Sequence, residues 1–458
     1  MADPTVTRIT AALLAAAGLP DSTASLDLTG REPALPSSFR VGAAAQASIG
    51  ASGLAAAALW RLRGGADQRV AVDMRHAAAE FQSERHLRRA GTAPTDIWDA
   101  IAGLYPTGDG WVRLHTNFPH HRAGILALLG CGPDRAAVAA ALLTWKAEAF
   151  ETAATAAGMC VAALRDFPAW DAHPQAAFVA ACPVLRITRI GDAPVQTLPS
   201  MATRPLSGVR VLDLTRVIAG PVGARTLAAH GADVLHITSP RLPNIAPLLL
   251  DTGRGKRPAF LDLHLAADRA TLHGLATDAD VFLQSYRAGA LAAHGFSATE
   301  LAALRPGIVV ATLSAYGETG PWAGKRGFDS LVQTATGFNA AEAEASGSVT
   351  PRVLPAQALD HASGYLLALG SMAALHHRST EGGSWLAEVS LAGTGRWLRG
   401  LGRLADGFSV PDLADVEDLL ETHDGVTAVR HAAILSATPA RWSRPALPLG
   451  SCAPEWED

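Results

Sequence analysis

One aspartate stands where a carboxylate could act as a nucleophile. Asp360 lies at the start of the helix-like run Ala358–His377, directly before His361-Ala-Ser-Gly. A carboxylate can attack an acyl carbon and form an anhydride, and the small residues that follow leave room for a substrate to approach. A helix N-terminus stabilises such a carboxylate, and its N–H groups can hold a developing oxyanion. Aspartate is also a common N-cap, so the residues alone leave both interpretations open.

A second place for chemistry is the loop Arg216–Pro221, which follows an apolar strand predicted over Val209–Leu214. A short helix, Val222–His230, ends at Gly231, and a second buried strand follows over Ala232–Thr238. Near-continuous apolar strands are typical of a parallel sheet that is covered on both faces. Because ligands bind outside the carboxyl ends of such strands, we expect the loop to contribute to a binding site.

Three other patterns carry weaker signals. His115, His120 and His121 have no carboxylate or cysteine at ligand spacing, so surface or hairpin positions are favoured over a metal site. The loop AGPVG lacks the spacing of the dinucleotide fingerprint, which argues against a nicotinamide enzyme. Residues 317–321 (GETGP) precede no Gly-Lys-Ser/Thr and therefore form no P-loop. The sequence predicts neither a metal nor a nicotinamide cofactor.

Strand and helix patterns alternate through the second half of the chain. The further predicted elements are strand Ala259–Leu263, helix Ala267–Thr277, strand Val281–Gln284, helix Ala298–Leu304, strand Ile308–Leu313, the helix that begins at Ala358, and strand Leu386–Leu391. Helix-length crossovers between strands predict an α/β fold with a doubly wound, Rossmann-like parallel sheet. The Pro-, Ser- and Thr-containing stretch 195–206 is predicted as a linker, which assigns the sheet lobe to 207–458.

Residues 1–194 are predicted to form a smaller α+β lobe. A long Ala-rich helix is expected over Ala43–Leu62, followed by an apolar segment at Arg69–Met74. Tyr105–His115 is typical of a hairpin around Asp109-Gly110. Helices are expected within 124–158.

The two halves contain a possible internal repeat. Ala58–Val70 and Ala374–Leu386 have equal length and a similar pattern, start 316 positions apart, and each follows a small-residue helix. The alternative is that Ala-rich helices resemble each other by composition. At the same offset, Ala44 corresponds to Asp360, so the repeat predicts one functional site rather than two.

Composition limits the class of protein. Of 458 residues 49% are hydrophobic and 17% charged, which favours a large folded core over disorder. A net charge of −4 gives no reason to expect nucleic acid as a partner. Four scattered cysteines without a CxxC are typical of a reducing compartment. We expect no signal peptide, no membrane span and a cytoplasmic location.

Five segments in a fixed order resemble the family III CoA-transferases, the group that contains formyl-CoA transferase and carnitine CoA-transferase. The first is LSGVRVLDLTRVIAGPVGARTLAAHGADVLHI, and the others lie at 253–264, 280–296, 314–333 and 358–383. Residues 105–183 resemble the family's small domain, and 437–450 its closing segment. Because small-domain residues come first, the resemblance implies a tandem or permuted arrangement.

The resemblance implies transfer of CoA from an acyl-CoA to a free carboxylic acid through an aspartyl anhydride and an enzyme–CoA thioester on Asp360. Coenzyme A is then the co-substrate, no other cofactor is needed, and the family implies an interlocked homodimer. The positions that match the family's CoA contacts are Ile218, Ala219, Arg257, Leu261, Asp262, Leu263, His264, Ser285, Tyr286, Arg287, Tyr316 and Gly317. Candidate cations for the phosphates are Arg241, Arg254, Lys256, Arg257 and Arg287.

Several positions depart from the family pattern. Ser285 stands where an asparagine is usual, and Ala293 where formyl-CoA transferase has an arginine. These changes leave a CoA-binding pseudoenzyme as one alternative. An acyl-CoA racemase or isomerase is the other, although its Gly-His-Asp motif reads Gly327-Phe328-Asp329 here, and phenylalanine cannot take a proton.

Overall fold

A computed structural model describes residues 4–89, 97–199 and 202–457 of the chain. The strands are β1 (Leu26–Thr29), β2 (Val70–Asp73), β3 (Arg88–Arg89), β4 (Gly103–Pro106), β5 (Trp111–Leu114), β6 (Val161–Ala163), β7 (Arg186–Gly191), β8 (Arg210–Leu214), β9 (Asp233–Thr238), β10 (Lys256–Phe260), β11 (Val281–Gln284), β12 (Val309–Ser314), β13 (Ser384–Ser390), β14 (Leu420–His423), β15 (Val426–Val429) and β16 (Ile434–Leu435).

The helices of the N-terminal part are α1 (Pro4–Ala16), α2 (Val41–Leu62), α3 (Met74–Glu80), α4 (Ser83–His86), α5 (Pro119–Leu129), α6 (Arg135–Leu142), α7 (Ala147–Ala156), α8 (Phe167–Asp171) and α9 (Pro174–Ala180). Those that follow are α10 (Ala219–Ala229), α11 (Ala246–Thr252), α12 (Ala266–Thr277), α13 (Ala298–Leu304), α14 (Asp329–Ala335), α15 (Phe338–Ser346), α16 (Ala358–Glu381) and α17 (Leu391–Gly400).

A seven-stranded sheet with the order β10-β9-β8-β11-β12-β13-β7 forms the centre of the molecule. Its first six strands run parallel, and β7 pairs antiparallel with β13. The parallel α/β sheet that the alternating pattern predicts is confirmed. The boundaries differ most at three places: α10 begins at Ala219, inside the predicted loop, β10 lies three residues before the predicted strand, and α16 ends at Glu381 instead of His377.

Two long helices, α2 and α16, pack against each other. Each is followed by a strand and then a helix, α2–β2–α3 and α16–β13–α17. The residues that precede them share one conformation, with φ −79° and ψ 61° at Arg40 and φ −76° and ψ 62° at Gln357. The predicted repeat of helix, turn and strand is therefore present, and α2 and α16 share one hydrophobic core.

The helix α2 is also the one described helix that is long and apolar enough to span a membrane by composition. Its most apolar window is 89% buried inside the protein. Burial against α16 and α1 therefore accounts for its hydropathy.

Three small sheets flank the main sheet. The sheet β4-β5-β6, with α5–α7, has its own core, which includes Val112, Ile125 and Phe150. The other two, β1-β2-β16 and β14-β15-β3, each combine strands from the first and last parts of the chain. Because β7 of the predicted N-terminal lobe also joins the main sheet, the two halves of the chain share both sheets and core. The division at 195–206 stays a prediction.

Candidate active site

A cavity of about 340 Å³ lies beside the carboxyl ends of β8, β11 and β12. Six of the residues that the sequence predicts for the site line it together: Ile218, Ala219, Ser285, Tyr286, Arg287 and Asp360. Tight packing of α10 on α16 brings Asp360 beside the first loop. A Cβ on Gly364, one turn after Asp360, would lie 2.6 Å from the carbonyl oxygen of Ala219.

Asp360 is a buried residue in the first turn of α16, with 7% of its surface exposed. Its backbone N–H donates to Oδ2 of Asp329 at 2.9 Å, and the N–H of Leu359 donates to the same oxygen at 2.7 Å. The other oxygen of Asp329 accepts from the amide of Gln333. The expectation that these helix N–H groups hold an oxyanion is therefore wrong, because Asp329 occupies them.

Burial raises the pKa of Asp360 well above the ordinary value, and the negative charges of Asp329 and Glu84 raise it further. Burial also raises the pKa of Asp329, to about 6, although its hydrogen bonds act in the opposite direction. Two carboxyl groups in one dry place resist double ionisation. A carboxylate formed at Asp360 is poorly solvated, which makes it a reactive nucleophile.

A third carboxylate comes from the N-terminal half of the chain. Oε2 of Glu84, on α4, lies 3.0 Å from Nε2 of His361, and both side chains are buried. His361 directly follows Asp360, so this contact fixes the helix turn that carries the candidate nucleophile.

The start of α10 faces the cavity from the other side. The N–H groups of Ala219 and Gly220 donate to no group in the described part of the chain, as expected for the first turn of a helix. Val217, just before this turn, has φ +73°. This conformation is strained for a β-branched residue, and such strain is characteristic of functional loops.

The N-terminal half closes the cavity in the same polypeptide. Phe118, His120 and His121 line it together with Arg326 and Phe328. The expectation of surface histidines holds for His120 but is wrong for His121, which is buried. Burial lowers the pKa of His121 to about 4, so its ring is neutral at physiological pH.

The ring of His115 stacks on Phe328, with centroids 3.7 Å apart and an interplanar angle of 6°. His115 is buried, and burial lowers its pKa to about 3. The position that holds a histidine in the racemases is therefore filled by a phenylalanine that packs against a neutral imidazole.

Of the five cations predicted from the sequence, Arg287 alone lines the cavity, where Arg216 and Arg326 join it. No described group pairs with the Arg287 guanidinium. The remaining four form ion pairs: Arg241 with Asp262, Arg254 with Asp251, Lys256 with Asp213, and Arg257 with Asp233. Sequence alone could not distinguish the free arginine from the paired cations.

The other predicted contacts lie outside the cavity lining. They are Arg257, Leu261, Asp262, Leu263, His264, Tyr316 and Gly317. Asp262 hydrogen-bonds His264 at 2.9 Å, and Tyr316 is 1% exposed, with its carbonyl bonded to Gln175. A role for these residues in CoA binding stays a prediction.

Comparison with known proteins supports the family resemblance seen in the sequence. Residues 206–402 match the model of CoA-transferase family III. The chain is 35% identical over 207 residues to the acetyl-coenzyme A transferase nodX of Hypoxylon pulicicidum, covering 44% of this chain and 34% of that protein. It is 30% identical over 327 residues to an acyl-CoA transferase of Gibberella moniliformis, covering 66% and 57%.

A crystal structure of Rv3272 from Mycobacterium tuberculosis aligns with a TM-score of 0.39 at 30% identity, covering 43% of this chain and 57% of that one. The chain therefore spans about a third to just over half the length of these relatives. Over residues 206–402 it is similar to CoA-transferase family III.

Proposed function

We propose that this protein moves CoA from an acyl-CoA to a free carboxylic acid, with Asp360 as the nucleophile. The observation that carries the proposal is the position of Asp360: a buried carboxyl group at the wall of a cavity that also contains the unpaired Arg287. A thioester carbonyl can reach a carboxyl group in such a wall, and a guanidinium can bind a CoA phosphate.

The reaction divides into balanced steps. The Asp360 carboxylate attacks the thioester carbon, which gives a mixed anhydride and CoA thiolate. The thiolate attacks the aspartyl carbonyl of the anhydride, which releases the donor acid and leaves an enzyme–CoA thioester. The acceptor carboxylate repeats these events in reverse, so that a new acyl-CoA leaves and Asp360 is free again.

Each negative tetrahedral intermediate needs hydrogen-bond donors. Ala219 lines the cavity, and the free N–H groups of Ala219 and Gly220 lie in the first turn of α10, where the partial positive charge of the helix N-terminus supports them. The N–H groups at the start of α16 instead hold Asp329, which orients the turn that carries Asp360.

A racemase or isomerase is the second candidate, because His120 and His121 line the same cavity as Asp360 and could serve as bases. One incubation separates these functions. The protein is mixed with an acyl-CoA and a 13C-labelled carboxylic acid in deuterated water, and the products are analysed by mass.

If the protein transfers CoA, wild type forms labelled acyl-CoA without α-deuterium, and Asp360→Asn forms no labelled acyl-CoA. Racemisation predicts α-deuterium without label in the acyl group. A pseudoenzyme that binds CoA gives neither product. Leu404→Ala, outside the cavity lining, serves as the control for handling and folding.

The homodimer implied by the family stays a proposal. Phe118 and His121 reach the cavity from the same chain as Asp360, which supports closure of the site within one polypeptide. Light scattering of the purified protein measures its oligomeric state.

A further inference from the structure

A second, smaller cavity adjoins the one that holds Asp360. Its volume is about 50 Å³, and α11, the loop before it and the C-terminal segment wall it. The apolar part of its lining includes Leu242, Ile245, Leu248, Leu249, Leu447 and Leu449. This volume is far below the 340 Å³ of the larger cavity, so a short chain fits it better than a long one.

The two cavities share a wall. Phe118, Arg216, Val217 and Leu242 line both of them. Val217 directly precedes Ile218 and Ala219, which stand beside Asp360 in the larger cavity. An acyl chain attached at the thioester carbon can therefore extend past Val217 into the smaller cavity.

The floor of the smaller cavity is polar but already neutralised. Nζ of Lys256 lies 2.8 Å from Oδ2 of Asp213 and 3.0 Å from the carbonyl oxygen of Pro221. Nδ1 of His236 lies 3.2 Å from the same carboxylate oxygen. Lys256 therefore offers no net charge to a second carboxylate.

The two cavities differ in the charged side chains that line them. The unpaired Arg287, with Arg326, lies in the larger cavity, which suits the phosphates of CoA. The smaller cavity is lined mainly by apolar side chains, with Arg216 on the wall that it shares with the larger cavity. We infer that it binds a short, unbranched aliphatic acyl group in preference to longer ones.

This inference rests on the proposed transfer function, and the test must keep the two apart. The rate of enzyme–CoA adduct formation is measured with acetyl-, butyryl- and octanoyl-CoA, which requires no knowledge of the acceptor. In parallel, calorimetry measures the dissociation constants of the same compounds with Asp360→Asn, where no chemistry interferes.

Burial of one methylene contributes about 0.8 kcal/mol, a factor of about four. We therefore expect butyryl-CoA to form the adduct about tenfold faster than acetyl-CoA, or more, and to bind about tenfold more tightly. Octanoyl-CoA should react and bind at least tenfold less well than butyryl-CoA.

A variant that fills the cavity provides the decisive comparison. Leu249→Trp should reduce the rate and affinity for butyryl-CoA to those for acetyl-CoA, and should change the rate and affinity for acetyl-CoA less than twofold. Leu250 lies next to Leu249 on α11 but outside the lining. Leu250→Trp is therefore the matched control and should change the rate and affinity for neither acyl-CoA.

Equal rates and dissociation constants for butyryl- and octanoyl-CoA, or an equal loss for acetyl- and butyryl-CoA in Leu249→Trp, would overturn the inference. If no adduct forms with any donor but the chain-length order persists in the dissociation constants, the transfer function fails and the acyl pocket stands.

Discussion

Replacing Asp329 by asparagine should make the stability of the protein less sensitive to pH. Asp329 is fully buried and shares its environment with Asp360. Its pKa lies at about 6 in the folded protein, above the ordinary 3.8. The stability that its proton contributes is therefore complete below pH 3.8 and is lost as the pH rises through 6.

The magnitude follows from that difference of about two pKa units. At 1.36 kcal/mol per unit, ionisation of Asp329 costs about 3 kcal/mol at high pH, and roughly half of this cost develops between pH 5 and pH 8. Asparagine keeps one acceptor oxygen for the N–H groups of Leu359 and Asp360, so its constant cost is about 1 kcal/mol.

The assay is urea unfolding of wild type and Asp329→Asn at pH 5, 6, 7 and 8. The difference in free energy of unfolding should move by about 1.5 kcal/mol in favour of the variant from pH 5 to pH 8. Asp171→Asn is the control: the hydrogen-bonded ion pair with Arg399 lowers the pKa of Asp171 below the ordinary 3.8, so its contribution is complete by pH 5 and the difference between this variant and wild type should stay constant from pH 5 to pH 8. A difference for Asp329→Asn that stays constant, or moves the other way, would refute the reasoning.

Three further predictions concern the cavity. The rate of adduct formation should fall at low pH, with a midpoint above the ordinary pKa of an aspartate, because Asp360 must ionise before it attacks. Asp329→Asn should move that midpoint to lower pH. A midpoint that does not move in stopped-flow measurements contradicts the coupling of the two carboxyl groups. Arg287→Ala should weaken CoA binding about tenfold or more by calorimetry, since a charge-assisted hydrogen bond contributes about 1.5–3 kcal/mol, whereas Arg189→Ala, at a surface ion pair, should leave it unchanged. Val217→Gly should raise the free energy of unfolding by about 1 kcal/mol, because relief of about 2 kcal/mol of strain exceeds the entropy that glycine adds to the unfolded chain; a loss of stability in urea would show that Val217 is not strained.

The elements that position the site could be predicted from local patterns. Apolar runs located β8, β9, β11 and β12 to within a residue or two, because buried parallel strands have a simple signature. The resemblance located Asp360 at the start of its helix. The structure then places it, with five of the other predicted residues, around one cavity.

The rest depends on contacts between distant parts of the chain. Glu84 meets His361 across 277 positions, and Phe118 and His121 enter the cavity only because their lobe folds against the sheet. Asp329 looked like part of a racemase motif, yet it receives the N–H groups of α16. No local pattern states which arginine is left without a carboxylate partner.

The central claim is that Asp360 becomes covalently linked to CoA. The most direct measurement is the intact mass of the protein after brief incubation with butyryl-CoA, followed by peptide mapping with and without hydroxylamine. The account predicts a CoA adduct on the peptide that contains Asp360, its removal by hydroxylamine, and its absence in Asp360→Asn. An adduct on another residue, or label transfer without any adduct on Asp360, would contradict it.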